Sequence, residues 1–267
     1  MKKVALAVAV VLGLVVVQPV QASTQKALVI IDSYFDSKVS ASNVKCITTK
    51  NILCTDVVVA KNSSLSHDIN HGNAMAEVAK KQSASTPIIL LVPTTPSKNS
   101  VSSVNVGHFI DSLNWINSNS SNIGAVSISR YFGNPKSECA PANVNTAPYG
   151  GLAKADATVR ALIATLKSKN IPVFVSTGNK AGTKIDYPAC IADTVSISTG
   201  SINSSGVLNS NNALDASTDY VADANVYNFS SPVFGLIPHT TSSAAVAVAT
   251  QYLSTGTLTS KVVKVNP

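Results

Sequence analysis

The sequence predicts an α/β fold in which a mostly parallel central sheet is flanked by helices. Two patterns carry that prediction. Short, unbroken aliphatic runs rich in β-branched residues recur along the chain, and the stretches between them repeat apolar residues at helical spacing. Size and composition agree: 267 residues, 45% hydrophobic and 12% charged, supply enough apolar side chain to cover both faces of a sheet in one domain.

Taken in order, Ala27-Leu28-Val29-Ile30-Ile31 runs without polar alternation into Asp32, the pattern of a strand buried on both faces. His71 opens HGNAMAEVAKK, which sets Ala74, Met75, Val78 and Ala79 on one helical face. Residues 87–92 repeat the strand pattern. Residues 109–117 then carry Phe109, Ile110, Leu113 and Ile116 at helical spacing. A strand over 125–128 is followed by a helix over 153–169, with Val159, Leu162, Ile163 and Leu166 facing one way. Further strands are expected at 173–175 and 194–197, and the small-residue run 240–249 reads as a tightly packed helix. The Ser- and Asn-rich stretches 117–122 and 201–217 read as surface loops, and 134–151, with three prolines and a closing Gly150-Gly151, as a long functional loop. Strands alternating with helices place chemistry at the carboxyl ends of the strands.

Residues 1–22 read as a signal peptide: Lys2 and Lys3, an apolar run from Val4 to Val17, and Val20-Gln21-Ala22 as a small-residue cleavage site. That run is shorter than the roughly 20 residues a membrane helix needs, so no stable membrane insertion is expected and the product is secreted or periplasmic. Residues 23–267 are then one domain. Export makes the four cysteines disulfide candidates. Cys46 and Cys54 are close enough to close a local loop, which leaves Cys139 with Cys190. The formal charge of +7 is spread thinly, without basic runs interleaved with aromatics, so a nucleic-acid partner is not expected.

A catalytic histidine has four candidates, His67, His71, His108 and His239. His71 stands out at the first turn of a buried helix. Asp32 ends a buried strand, and Ser242 stands at the start of the small-residue helix, where unpaired backbone N–H groups can stabilise an oxyanion. Singly, each has an ordinary reading as a turn aspartate, a capping histidine and an N-cap serine. No GxSxG, GxGxxG or HExxH occurs, which argues against an esterase on another α/β fold and against a zinc hydrolase. The mature chain holds only two glutamates, Glu77 and Glu138, so neither a metal nor another cofactor is expected.

Six ordered segments, ALVIIDSYFD, HGNAMAEVA, FIDSLNWINSNSSNIGAVSIS, NIPVFVSTGNKAG, YPACIADTVSIST and TTSSAAVAVA, together resemble the subtilisin-like serine peptidases (subtilases), whose triad runs aspartate, histidine, serine along the chain. The resemblance implies a three-layer subtilisin-like fold and a secreted serine endopeptidase acting on peptide or protein substrates. It also implies a triad of Asp32, His71 and Ser242, Asn179 in the oxyanion hole, and Ser129, Arg130 and Tyr131 bordering the substrate pocket. Five sites depart from the family pattern. Tyr34 and Thr240 replace glycines, Val246 replaces a proline, Arg130-Tyr131 replaces Leu-Gly, and Ala222-Asp223-Ala224 replaces Ala-Pro-Gly. Side chains at 34 and 240 are expected to narrow the cleft or demand another turn. The alternative they motivate is a catalytically impaired module used for binding or inhibition. Relatives commonly carry a propeptide, whereas here the first strand follows the expected cleavage site closely, so a bare catalytic domain is expected.

Overall fold

The computed structural model describes residues 25–32, 43–49, 51, 71–92, 106–129, 139–141, 149–180, 184–202, 208–209, 212–223, 229–231, 235–237, 240–258 and 262–264. In chain order they form β1 (Ala27–Ile31), β2 (Val44–Thr48), α1 (His71–Gln82), β3 (Ile88–Val92), α2 (Val106–Ser118), β4 (Ile123–Ile128), α3 (Leu152–Ser168) and β5 (Val173–Ser176). These are followed by β6 (Val195–Ile202), β7 (Leu208–Asn209), β8 (Tyr220–Asp223), β9 (Phe229–Ser231), β10 (Gly235–Ile237), α4 (Thr241–Thr255) and β11 (Val262–Lys264).

The main sheet has the order β11-β8-β6-β5-β4-β1-β3-β2, with β7 pairing β6. From β2 through β8 the neighbours along this path are parallel, and β11 on β8 and β7 on β6 are antiparallel. Strands β9 and β10 form a separate antiparallel pair. Parallel strands need helical crossovers, and those helices bury both faces of the sheet. This is why the aliphatic runs show no polar alternation.

β1 illustrates the layering. Leu28 and Ile30 point into one core with Met75 and Val78 of α1 and the alanines of α4, while Val29 and Ile31 point into the other with Phe109 and Leu113 of α2 and Val159 and Ile163 of α3. All four β1 side chains are fully buried. At about 1.5–3 kcal/mol per buried aliphatic side chain, the two faces supply most of the drive to form the three layers. Helix α4 is buried along Thr241–Thr250, and it packs on α1, β4, β5 and β6. Its alanines permit that close approach, and a larger side chain there would overpack the layer.

The sequence reading missed the strands nearest the rims, β2, β8 and β11, and helix α2 begins at Val106 instead of 109. β2 is an edge strand whose Lys45 is exposed, so its pattern is mixed and short. The stretch 201–217 is not simply a loop: β6 continues through Ile202, and β7 folds back on it at Leu208–Asn209. Residues 117–122 hold the end of α2 and a single 3₁₀ turn at Ser120–Asn122.

Cys139 is disulfide-bonded to Cys190. Cys46 is disulfide-bonded as well, and Cys54, its expected partner, lies outside the described residues. The expected signal peptide, Tyr34, Arg130 and Tyr131 also lie outside them. Among the described residues no helix is long and apolar enough to cross a membrane.

Candidate active site

The parallel sheet brings the carboxyl ends of β1, β4 and β5 together, and each carries polar groups onto the same edge. Asp32 follows β1 and is fully buried, its backbone N–H directed at the Leu91 carbonyl at 3.4 Å. His71 begins α1, with its side chain 19% exposed. The imidazole Nδ1 lies 2.7 Å from Asp32 Oδ2 and 3.0 Å from Oδ1. A carboxylate in this position accepts a hydrogen bond from Nδ1–H, a tautomer that leaves Nε2 as the ring's acceptor.

The first turn of α4 meets the same edge at the end of β4. Thr240 caps the helix with φ −81° and ψ 141°, ordinary extended backbone, and its side-chain oxygen accepts the Ser243 N–H at 3.3 Å. A glycine is therefore not needed at 240: the threonine adopts the turn without strain and satisfies a helix N–H. The Thr240 carbonyl accepts from the Ala244 N–H, and the Thr241 N–H donates to Asn179 Oδ1 at 2.9 Å. Of the first-turn N–H groups from Thr241 to Ala244, that of Ser242 is left without an acceptor among the described residues.

Asn179 follows β5 through Gly178, whose φ of +107° is a conformation that side chains resist. Its Oδ1 accepts twice from Thr241, from the N–H and from Oγ1, each at 2.9 Å. The Thr241 hydroxyl in turn accepts the Gly178 N–H at 3.1 Å. With Oδ1 so occupied, the amide orientation is set by its partners, and Nδ2 has no acceptor among the described residues. Two donors without an acceptor among the described residues, Asn179 Nδ2 and the Ser242 N–H, thus belong to segments that Thr241 ties together.

Ser242 is 6% exposed, and its Oγ lies 3.5 Å from the Ser129 carbonyl at the end of β4. That is the outer limit of a hydrogen bond. No hydrogen bond joins Ser242 Oγ to the His71 ring. The structure thus joins Asp32 to His71 and Asn179 to the α4 start, while Ser242 is seated beside Ser129. Sequence reasoning assigned no role to Thr241, although its place directly before Ser242 was the available signal. Among the described residues no group of three or more His, Cys, Asp or Glu side chains is placed to hold a metal ion.

No family model matches this chain, and no curated protein matches it in sequence. Solved structures do match in fold. The self-cleaved protease domain of PatA superposes with a TM-score of 0.53 at 9% identity, covering 86% of this chain and 79% of that one. The nisin leader peptidase NisP from Lactococcus lactis gives 0.52 at 13% identity, covering 86% and 77%. The epidermin leader peptide processing serine protease EpiP from Staphylococcus aureus gives 0.53 at 14%, covering 85% of this chain and 64% of that one. At such identities the likeness is one of fold, and the fold is the subtilisin-like three-layer α/β architecture.

Proposed function

We propose that this protein is a serine endopeptidase in which Ser242 is the nucleophile, His71 the general base and acid, and Asp32 the residue that orients the imidazole. The observation that carries the reading is the pairing of His71 Nδ1 with buried Asp32 at 2.7 Å, at the same sheet edge as Asn179 Nδ2 and the Ser242 N–H, which have no acceptor among the described residues. The similar folds described as a protease domain, a leader peptidase and a leader-processing serine protease support it.

On this reading Ser242 Oγ swings from the Ser129 carbonyl toward His71 Nε2 when substrate enters, since catalytic hydrogen bonds often tighten only in the complex. His71 takes the hydroxyl proton as Oγ attacks the peptide carbonyl, and Asp32 stabilises the imidazolium. Asn179 Nδ2 and the Ser242 N–H receive the oxyanion, and His71 returns its proton to the leaving amine. Water then attacks the acyl-enzyme by the same route. Ser129, with Arg130 and Tyr131 after it, would border the bound peptide. Export is part of the reading: disulfide use supports an oxidising compartment, and removal of 1–22 would leave Ser23 as the amino terminus.

A fluorophosphonate probe should label Ser242 in the purified protein, and Ser242→Ala should abolish both labelling and peptide hydrolysis. The second reading, a binding or inhibitory module, is favoured by the one observation that Ser242 Oγ faces Ser129 and not His71. A folded sample that binds peptide yet is never labelled would establish it over the first.

A further inference from the structure

Asp186 is a buried acid that the catalytic reading leaves unused. It is 9% exposed, and its Oδ1 is buried without a hydrogen-bond partner among the described residues. An orphaned carboxylate oxygen costs stability unless something arrives to meet it. Its position gives the reason to keep it. A Cβ at Gly178 would lie 2.5 Å from Asp186 Oδ2 and 3.3 Å from Cγ, so the carboxyl group rests against the backbone directly before Asn179. Only a glycine allows that approach.

The turn that carries Asp186 is held rigidly. Its N–H donates to the Thr177 carbonyl at 3.1 Å, the following Tyr187 is 2% exposed in the core, and Cys190 is bonded to Cys139. Arg160 fastens the other side of that disulfide, donating to the Cys139 carbonyl at 2.7 Å. Among the described residues no cation is paired with this charge, and burial is what shifts it. Arg160 is committed to Asp156 and Cys139, and Lys184, two residues before, is exposed. Asp215, which accepts the Ile185 N–H at 3.0 Å from the 212–219 segment, is itself an acid.

We propose that Asp186 selects substrate, receiving the cationic side chain of a lysine or arginine whose own carbonyl sits between Asn179 Nδ2 and the Ser242 N–H. The inference rests on the peptidase reading and names its substrate class: peptides cleaved after a basic residue. The carbonyl in the oxyanion site and the side chain on the adjacent Cα leave the same substrate residue, as Asn179 and the Gly178 wall are neighbours in this chain. Burial raises the carboxyl pKa to about 6, so the group is an anion ready for such a partner at neutral pH. A guanidinium or ammonium meeting it supplies both the missing charge and the missing donor.

The test uses the full-length protein and fluorogenic peptides that differ only at the residue before the scissile bond, comparing arginine with citrulline and lysine with norleucine. Each cationic peptide is expected to exceed its neutral counterpart at least tenfold in kcat/KM. Asp186→Asn should erase most of that ratio while labelling of Ser242 by the fluorophosphonate probe stays within about twofold. Equal rates for the cationic and neutral pairs in the unaltered protein, or a ratio that survives Asp186→Asn in a labelled, folded variant, would overturn the assignment of Asp186 and leave the nucleophile intact. Absence of labelling in the unaltered protein overturns the peptidase reading itself.

Discussion

Thr241 holds Asn179 by one oxygen, donating to Oδ1 from its backbone N–H and from Oγ1, both at 2.9 Å. A residue fully buried at the start of α4 thereby sets the amide orientation of a side chain 62 positions away. On the proposed reading the hydroxyl positions the Asn179 donor, its own proton being directed at Oδ1.

Thr241→Val keeps the shape and removes the hydroxyl, leaving the backbone bond in place. A lost neutral hydrogen bond of about 1 kcal/mol predicts a fall of about fivefold to tenfold in kcat with KM little changed. Thr241→Ser should recover most of the loss. Asn179→Ala removes the donor itself and should cost roughly 10²–10³ in kcat. Steady-state kinetics on one peptide substrate compares all three.

Asp32→Asn would leave the buried site filled but deprive Nδ1 of the carboxylate. The amide allows the wrong imidazole tautomer, and kcat should fall by about 10⁴. The loss should ease at alkaline pH, read from a pH–rate profile beside the unaltered protein.

Asp186→Asn should stabilise the fold near neutral pH. The carboxyl pKa rises from 3.8 to about 6 because burial disfavours the charged form. Below pH 3.8 both folded and unfolded chains hold the proton and the full stability is present. It is lost as pH rises through about 6, where the folded protein must ionise a buried group. Allowing for screening at the accessible Oδ2, the neutral variant should gain about 1–2 kcal/mol at pH 7 and almost nothing at pH 3.5. Urea denaturation at the two pH values measures the difference. A gain in stability with a loss of cationic selectivity is the signature of a residue kept for function.

Replacing Cys139 and Cys190 together by serine opens a loop with a sequence separation of 51. Chain entropy alone predicts a loss of about 4 kcal/mol. The Asp186 turn should loosen with it, so the ratio of arginine to citrulline cleavage should fall more than the rate of Ser242 labelling. Parallel thermal melts and peptide assays separate the two effects.

Much of this molecule is written locally. Runs such as Ala27–Ile31 and Val173–Ser176 declare buried parallel strands because both faces must be apolar, and the spacing of Phe109, Ile110, Leu113 and Ile116 declares a helix because 3.6 residues make a turn. Asp32, His71 and Ser242 could be picked out as candidates for a related reason, each standing at the end of such a run or the start of a helix, whereas Asn179 came from the resemblance alone. Rim strands β2 and β11, and β8 beside β11, were not legible, since their short, mixed sequences become strands only when a neighbour supplies the ladder. The tertiary structure alone decided that His71 meets Asp32 across 39 positions, that Thr241 grips Asn179, and that the Asp186 carboxyl comes to rest on Gly178. Those relationships depend on which strands lie side by side, and short-range periodicity carries no record of that order.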